Sequence, residues 1–140
     1  VTADVWSCPS FVELRRDGME VERWNRLHPE AESKRVAHVT ACLQGRSGPA
    51  VAATDYVRAY ADQVRAYLPK GMSYTVLGTD GYGRSDTRAN LRRFFEVDRH
   101  HIAVAALSAL ADEGQFKAQE VRKAIQRYGL ETEKPAPYLR

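Results

Sequence analysis

The sequence predicts an α/β fold built around a mostly parallel sheet. Short strand-like segments, at residues 1–8, 50–53 and 73–77, alternate with helical patterns along the 140 residues, and this alternation is typical of that class. Three strands are few for a parallel sheet, which needs both of its faces covered. We therefore expect residues 1–140 to form a single, incomplete domain of a longer chain.

The first strand, residues 1–8, alternates apolar side chains and is followed by a proline. Ser10 and Glu13 have the S-x-x-E spacing of a capping box, which predicts that a helix begins after Ser10. Gly18 is expected to break this helix, and a second helical stretch then continues to Pro29.

Residues 36–44 favour a short helix that a glycine ends. After a turn, residues 50–53 form a short buried strand. Thr54 or Asp55 then caps a helix whose apolar residues recur at helical spacing as far as Leu68. This part of the chain therefore has the order helix, strand, helix.

The third strand, residues 73–77, leads into a glycine-rich turn at residues 78–86. A helix is predicted over residues 87–96, and Asp98 is placed to cap the next helix, which is apolar nearly all round and stops at Gly114. A helix of this kind is usually well buried.

A last amphipathic helix covers residues 117–128, and the tail with Pro135 and Pro137 is expected to be extended. The apolar faces of all these elements together predict a core. Its members would be Val5, Val64, Val76, Leu91, Phe95, Leu107 and Leu110.

The composition is that of a globular protein, with 44% apolar and 28% charged residues. The net charge is only +3, with basic and acidic residues intermixed, which argues against a nucleic-acid binder. No apolar run approaches the roughly 20 residues that span a bilayer. The chain has two cysteines, Cys8 and Cys42, whose spacing fits no CxxC motif. We expect both to be free thiols in a reducing compartment, although the sequence alone does not exclude a disulfide between them.

The loop at residues 78–86 is the most distinctive local feature, because it follows a strand, opens a helix and carries three glycines spaced G-x-x-G-x-G. This spacing is neither the dinucleotide fingerprint nor a P-loop. Two interpretations stay open: a structural turn capped by Asp86 or Thr87, or an anion-binding or substrate-facing loop at a helix N-terminus. The candidate residues are Gly78, Asp80, Gly81, Tyr82, Gly83, Arg84, Ser85 and Asp86.

The chain shows no pattern of catalytic or metal-binding residues. His100 and His101 are adjacent, so on a helix they point about 100° apart and do not easily share a metal ion. No Ser/His/Asp or Cys/His nucleophile pattern is present either. We expect no catalytic, cofactor-binding or metal-binding residue in this chain.

A family resemblance extends over nearly the whole chain, in the same order of motifs. The chain resembles the C-terminal end of the homodimeric bacterial pyruvate dehydrogenases and, more distantly, the last domain of transketolases. The residues that carry it are Ala3 to Phe11, Asp17-Gly18, Arg23-Trp24-Asn25, Leu27-His28-Pro29, Thr54-Asp55-Tyr56, Val76-Leu77 with Gly78-Thr79-Asp80-Gly81-Tyr82-Gly83-Arg84-Ser85-Asp86, Asn90-Leu91-Arg92 and Phe95-Glu96-Val97-Asp98.

This resemblance implies a three-layer α/β domain with a mixed, mostly parallel sheet flanked by helices, here without its opening strand and helix. It also implies a cytoplasmic enzyme that decarboxylates pyruvate and reductively acetylates the lipoyl group of an acetyltransferase component. Thiamine diphosphate and magnesium would bind upstream, between domains of opposite subunits in a homodimer. This chain would support and dimerise the enzyme, would be inactive alone, and would contact neither nucleic acid nor membrane.

The alternative is a non-catalytic interaction module. Such a module would contact a partner of the complex, or an anionic ligand, through residues 78–86 and Arg88.

Overall fold

The computed structural model describes residues 2–139, so Val1 and Arg140 lie outside the described residues. The chain divides into two compact units. The first comprises residues 2–46 and 63–70, and the second comprises residues 47–62 and 71–139. Each unit contains helices that make most of their contacts within that unit.

The first unit is helical. It contains helix α1 (Phe11–Leu27), helix α2 (His38–Leu43) and a 3₁₀ turn (Arg65–Tyr67). The Ser10 hydroxyl accepts a hydrogen bond from the Glu13 amide at 3.2 Å, which satisfies one of the free N–H groups at the start of α1. The predicted start of the first helix after Ser10 is therefore confirmed. The short helix predicted within residues 36–44 is confirmed as α2.

The prediction that Gly18 breaks the first helix is wrong. Helix α1 runs without interruption from Phe11 to Leu27, and Gly18 is buried within it. A Cβ atom at this position would lie 2.5 Å from two ring carbons of Tyr67. The glycine is needed because an aromatic ring packs directly on the helix backbone, and this outweighs its poor helix propensity.

The strand predicted at residues 1–8 is also wrong over its described part, which begins at residue 2. Residues 2–8 form no strand, and the side chains of Val5 and Trp6 are 95% and 52% exposed. Val5 therefore does not belong to the core. A strand is stabilised by hydrogen bonds to a neighbouring strand, and alternating side chains alone do not supply that neighbour.

The second unit contains the sheet, in which strand β1 (Ala50–Ala53) pairs with strand β2 (Tyr74–Leu77). The pairing is parallel, and its register runs from Ala50 opposite Tyr74 to Ala53 opposite Leu77. Both strands were predicted, the second within one residue of its start. The carboxyl ends of the two strands therefore lie side by side at one edge of the sheet.

Four helices belong to the second unit: α3 (Arg58–Asp62), α4 (Arg88–Phe94), α5 (Arg99–Asp112) and α6 (Ala118–Arg127). Helix α5 packs against α6 and against both strands, which places it at the centre of the unit. The tail, predicted to be extended, instead forms a 3₁₀ turn at Pro137–Leu139. Its Leu139 amide donates to the Ala136 carbonyl at 2.9 Å, and the fixed φ of proline suits such a turn.

Asp98 caps α5, as predicted. Its carboxylate accepts hydrogen bonds from the amides of His100 and His101 at 3.0 and 2.9 Å, and it lies 2.7 Å from His101 Nδ1. Burial by itself would raise the pKa of Asp98, but the hydrogen bonds from His101 and His100 hold that pKa below its usual value. The carboxylate is therefore charged where the helix dipole favours a negative charge.

The long helix predicted from Thr54 or Asp55 to Leu68 is wrong. Helix α3 covers only Arg58–Asp62, and the division between the two units falls immediately after it. The Thr54 hydroxyl accepts from the Tyr56 amide at 3.2 Å, so it closes a turn instead of capping the helix. The apolar spacing nevertheless identified buried residues, since Ala61 and Val64 are 0% and 2% exposed.

The predicted core is confirmed only for Val64 and Val76, which are buried. Leu91, Phe95, Leu107 and Leu110 are half-buried. Helix α5 is apolar nearly all round, so its apolar surface is spread over all its faces and only Ala109 is buried in it. The other buried apolar residues are Ala37, Val39, Ala61, Val97 and Val121.

Helices flank a small parallel sheet, so the predicted α/β class is confirmed. Within residues 2–139, no helix is both long and apolar enough to cross a membrane. Cys8 and Cys42 are free and half-buried, and burial raises the pKa of the Cys8 thiol.

Candidate functional site

The 78–86 loop starts at the carboxyl end of β2 and ends at the N-terminus of α4. Because β1 and β2 are adjacent and parallel, the residues that follow β1 lie beside the residues that follow β2. The loop is therefore built against residues 54–58.

The first residues of the loop are fixed by backbone contacts. The Thr79 amide donates to the Tyr56 carbonyl at 2.9 Å, and the Thr79 hydroxyl donates to the Asp55 carbonyl at 3.1 Å. A Cβ atom at Gly78 would lie 2.7 Å from the Tyr56 carbonyl oxygen and 2.8 Å from the Arg58 amide nitrogen. Gly78 is therefore required for steric reasons, since these two atoms belong to the backbone and cannot rotate away from a Cβ atom.

Asp80 connects the loop to the start of α3. One of its carboxylate oxygens accepts hydrogen bonds from the Arg58 amide at 3.2 Å and from Arg58 Nε at 3.0 Å. The same guanidinium lies 5.7 Å from the centre of the Tyr138 ring. Asp80 thus accepts a hydrogen bond from the Arg58 backbone and also forms an ion pair with the Arg58 side chain. These two contacts indicate a structural role.

The middle of the loop passes close to the tail. Gly81 has φ +115, and a Cβ atom there would lie 3.0 Å from Tyr138 Cα and 3.1 Å from the Pro137 carbonyl oxygen. Both its backbone angle and its surroundings therefore favour glycine. Tyr82, which follows it, is 81% exposed.

Arg84 projects from the loop to solvent, and its guanidinium lies 4.2 Å from the centre of the Phe94 ring, within the range of a cation–π contact. Gly83 and Ser85, on either side of it, are exposed. This segment carries no contact that resembles a catalytic arrangement.

The end of the loop caps α4. The Thr87 hydroxyl accepts from the Asn90 amide at 3.3 Å, which makes Thr87 the N-cap residue. Asp86 accepts from the Asn90 side-chain amide at 2.8 Å and from the Thr87 amide at 2.6 Å, and these bonds lower its pKa. Arg88 is the exposed first residue of the helix.

The cavity at the base of the loop holds about 220 Å³, less than the roughly 300–1,000 Å³ of typical ligand pockets. Charged groups line it, namely the Arg58–Asp80 pair and Glu96, and Glu96 also lies 3.0 Å from Lys134. Among the described residues, no group of three or more His, Cys, Asp or Glu side chains could hold a metal ion. These residues do not fit thiamine diphosphate with its magnesium, so no step of that chemistry is assigned to them.

Sequence reasoning did not identify Asp55, Arg58 and Tyr138 as neighbours of the loop. The signal for the first two lies in the sheet. Once β1 and β2 are taken as adjacent parallel strands, the segments after them must meet at one edge. Asp55 also pairs with Arg92 of α4 at 3.1 Å, which joins a third segment to the same edge. No comparable signal places Tyr138 there.

The sequence of this chain is similar to those of known proteins. The family described as Transketolase-like TK C-terminal domain matches residues 1–98. The chain is 56% identical to the pyruvate dehydrogenase E1 component of Pseudomonas aeruginosa and 54% identical to that of Cupriavidus necator, each over 98% of this chain. It is 48% identical to the pyruvate dehydrogenase E1 component of Escherichia coli (strain K12) over 99% of this chain.

The chain spans about 15% of the length of each of these relatives. The family match covers more than half of the chain and includes β1, β2, the loop and α4. The chain therefore belongs to the family of transketolase-like TK C-terminal domains.

Proposed function

We propose that this chain is the C-terminal support and dimerisation domain of a pyruvate dehydrogenase (acetyl-transferring). The whole polypeptide would decarboxylate pyruvate and reductively acetylate the lipoyl groups of an acetyltransferase component. The observation that carries this proposal is identity of 44% to 56% with pyruvate dehydrogenase E1 components along nearly the whole chain. Identity at this level covers both units and includes the loop.

The proposed role is structural. Thiamine diphosphate supplies the carbanion chemistry in such an enzyme, and it would bind with magnesium to parts of the polypeptide outside this chain. The free thiols of Cys8 and Cys42 suit the reducing cytoplasm, where we place the enzyme. The whole of residues 1–140 would act as part of one domain.

Within this domain, the 78–86 loop would be a rigid connector at the dimer interface or at the entrance to the active site. Three observations support this role: the close backbone contact at Gly78, the Asp80–Arg58 pair and the capping of α4 by Asp86 and Thr87. Each uses a loop residue for an intrachain contact, so few polar groups remain for a ligand.

The second candidate is an interaction module that contacts a partner or an anionic ligand through the same loop. The observation that favours it is the exposure of Arg88 next to the loop, together with the 81% exposure of Tyr82. Under this candidate, Arg88→Ala would weaken binding of the acetyltransferase component, whereas the support role expects no such loss.

Calorimetry tests the proposal. Thiamine diphosphate with magnesium is titrated into the 140-residue chain and, separately, into the whole polypeptide that contains it. We expect heat of binding from the whole polypeptide and none from the chain alone. The described residues offer no group of three or more His, Cys, Asp or Glu side chains for a metal ion, and the sequence has no P-loop lysine motif for a phosphate. Micromolar affinity in the chain would place the cofactor site here, and no binding by the whole polypeptide would contradict the assignment to pyruvate dehydrogenase.

A further inference from the structure

Helix α4 ends in a backbone conformation that glycine usually adopts. The Glu96 amide donates to the Arg93 carbonyl at 3.3 Å, and the Val97 amide donates to the Arg92 carbonyl at 2.9 Å. These two bonds form the Schellman motif, in which the residue after the helix cap has a left-handed backbone. That residue is Glu96, with φ +60. Within residues 2–139, it is the one residue other than glycine whose φ is positive.

Two other helices of the second unit end in the same way, but with glycine. The corresponding pairs of hydrogen bonds follow α5 and α6, and the left-handed residues there are Gly114 and Gly129, with φ of +73 and +58. A Cβ atom is disfavoured in this conformation, which glycine adopts freely. The backbone alone would therefore favour glycine at position 96 as well. The glutamate indicates that its side chain makes a contact that offsets this cost.

That contact is with the tail, which we define as residues 131–139. Glu96 Oε1 lies 3.0 Å from Lys134 Nζ, and the Lys134 side chain is only 16% exposed. The Glu120–Lys123 pair on α6, by contrast, has side chains that are 44% and 61% exposed. Water and salt screen a partly buried ion pair less than an exposed one. The Glu96–Lys134 pair is therefore the stronger of the two.

The tail forms a wall of two cavities in the second unit. One holds about 290 Å³ between α4, α5 and the tail, and its lining residues are Asn90, Arg93, Phe94, His101, Glu131 and Lys134. The other is the cavity at the base of the 78–86 loop, which Glu96 lines together with Ala136, Pro137 and Tyr138 of the tail. The ion pair thus holds the tail at the point where it passes from one cavity to the other.

Beyond Lys134 the tail meets the 78–86 loop. A Cβ atom at Gly81 would lie 3.0 Å from Tyr138 Cα. The Arg58 guanidinium, which pairs with Asp80 of the loop at 3.0 Å, lies 5.7 Å from the centre of the Tyr138 ring. The loop therefore packs directly on the part of the tail that follows the ion pair.

We propose that Glu96 holds the tail against the 78–86 loop through its ion pair with Lys134, and that the tail in turn keeps this loop rigid. This inference deepens the proposed role of the loop as a rigid connector and rests on that role. It explains why a glutamate occupies a position where the backbone favours glycine.

Hydrogen–deuterium exchange of the whole polypeptide tests this inference. Mass spectrometry follows two hydrogen-bonded amides, that of Leu139 in the tail, which donates to Ala136, and that of Thr79 in the loop, which donates to Tyr56. We expect Glu96→Gln to speed exchange of both amides about tenfold, because loss of the ion pair makes local opening easier. Glu96→Gly should speed exchange as much, although it removes the unfavourable backbone conformation of the glutamate.

Two further variants serve as controls. Lys123→Gln breaks the exposed Glu120–Lys123 pair of α6 and should leave exchange of both amides within about twofold of the unaltered polypeptide. The double variant Glu96→Lys with Lys134→Glu keeps an ion pair of reversed polarity, so it should restore slow exchange.

Exchange that Glu96→Gln and Glu96→Gly leave unchanged would overturn the inference. So would slower exchange in Glu96→Gly, or faster exchange confined to the tail, because the tail would then not hold the loop. A Thr79 amide that exchanges freely in the unaltered polypeptide would contradict the loop's role as a rigid connector, and the inference with it. None of these outcomes bears on pyruvate turnover or cofactor binding, so the proposed enzyme function stands or fails separately.

Discussion

Gly78→Ala is expected to lower the free energy of unfolding by about 2–4 kcal/mol. Overpacking costs about 1–3 kcal/mol, and a lost hydrogen bond about 1 kcal/mol more. The added Cβ atom would lie 2.7 Å from the Tyr56 carbonyl oxygen and 2.8 Å from the Arg58 amide nitrogen. Neither atom can turn away as a side chain would, so residues 55–58 must move.

That movement would strain the hydrogen bonds that hold the loop, because they join the same two segments. They are the bond from the Thr79 amide to the Tyr56 carbonyl and the bond from the Arg58 amide to Asp80. Urea unfolding followed by circular dichroism measures the loss.

Gly83→Ala is the matched control within the same loop. No atom lies within 4 Å of a Cβ built at Gly83, and its φ is not in the left-handed region. We expect no loss there, and a gain of about 0.4–1 kcal/mol if alanine restricts the unfolded chain. Equal effects of the two substitutions would show that the contact at Gly78 is not what holds the loop.

Gly18→Ala is expected to lower the free energy of unfolding by about 1–2 kcal/mol, although alanine is the better helix former. Alanine in a helix interior gains about 0.5–1 kcal/mol over glycine, whereas overpacking costs about 1–3 kcal/mol. At Gly18 the second effect wins, because the new methyl group would lie 2.5 Å from the Tyr67 ring near its attachment point.

A double-mutant cycle separates the two effects. In a Tyr67→Ala background the ring is absent, so Gly18→Ala should become neutral or stabilising, with a coupling energy above about 1 kcal/mol. Urea unfolding of the four variants gives this value. If Gly18→Ala stabilised the chain that keeps Tyr67, the ring would not rest on the helix backbone and the description of α1 would be wrong.

Local signals in the sequence predicted the ends of elements well. Ser10 and Asp98 cap helices as their spacing indicated, and Gly114, which was predicted to end the helix that is now α5, follows it with a φ of +73. Strand β1 was predicted with the bounds that it has. Each of these features depends on residues within a few positions of one another, so the local sequence contains the cause.

Features that depend on distant residues were not predicted correctly. The role of Gly18 depends on Tyr67, which is far along the chain, and the local pattern showed only a residue with poor helix propensity. The strand expected at residues 2–8 needs a neighbouring strand, which alternation cannot reveal. Helix α3 ends at Asp62, which is also where the division between the two units falls.

The candidate site shows the same distinction. The position of residues 78–86 after a strand and before a helix was predictable, as was capping by Asp86 or Thr87. Which groups the loop contacts was not, because Asp55, Arg58 and Tyr138 come from other segments. The roles of the loop residues in the enzyme stay a prediction.

Single-turnover decarboxylation of pyruvate by the whole polypeptide tests the central claim, that this chain supports the enzyme without taking part in its chemistry. The unaltered polypeptide should consume pyruvate. The Arg84→Ala variant should do so within about tenfold of that rate, or about 1.4 kcal/mol, because Arg84 is exposed and contacts Phe94 alone among the contacts described for it. No turnover of pyruvate, or a loss beyond a hundredfold in a variant that keeps its native oligomeric state, would contradict the claim.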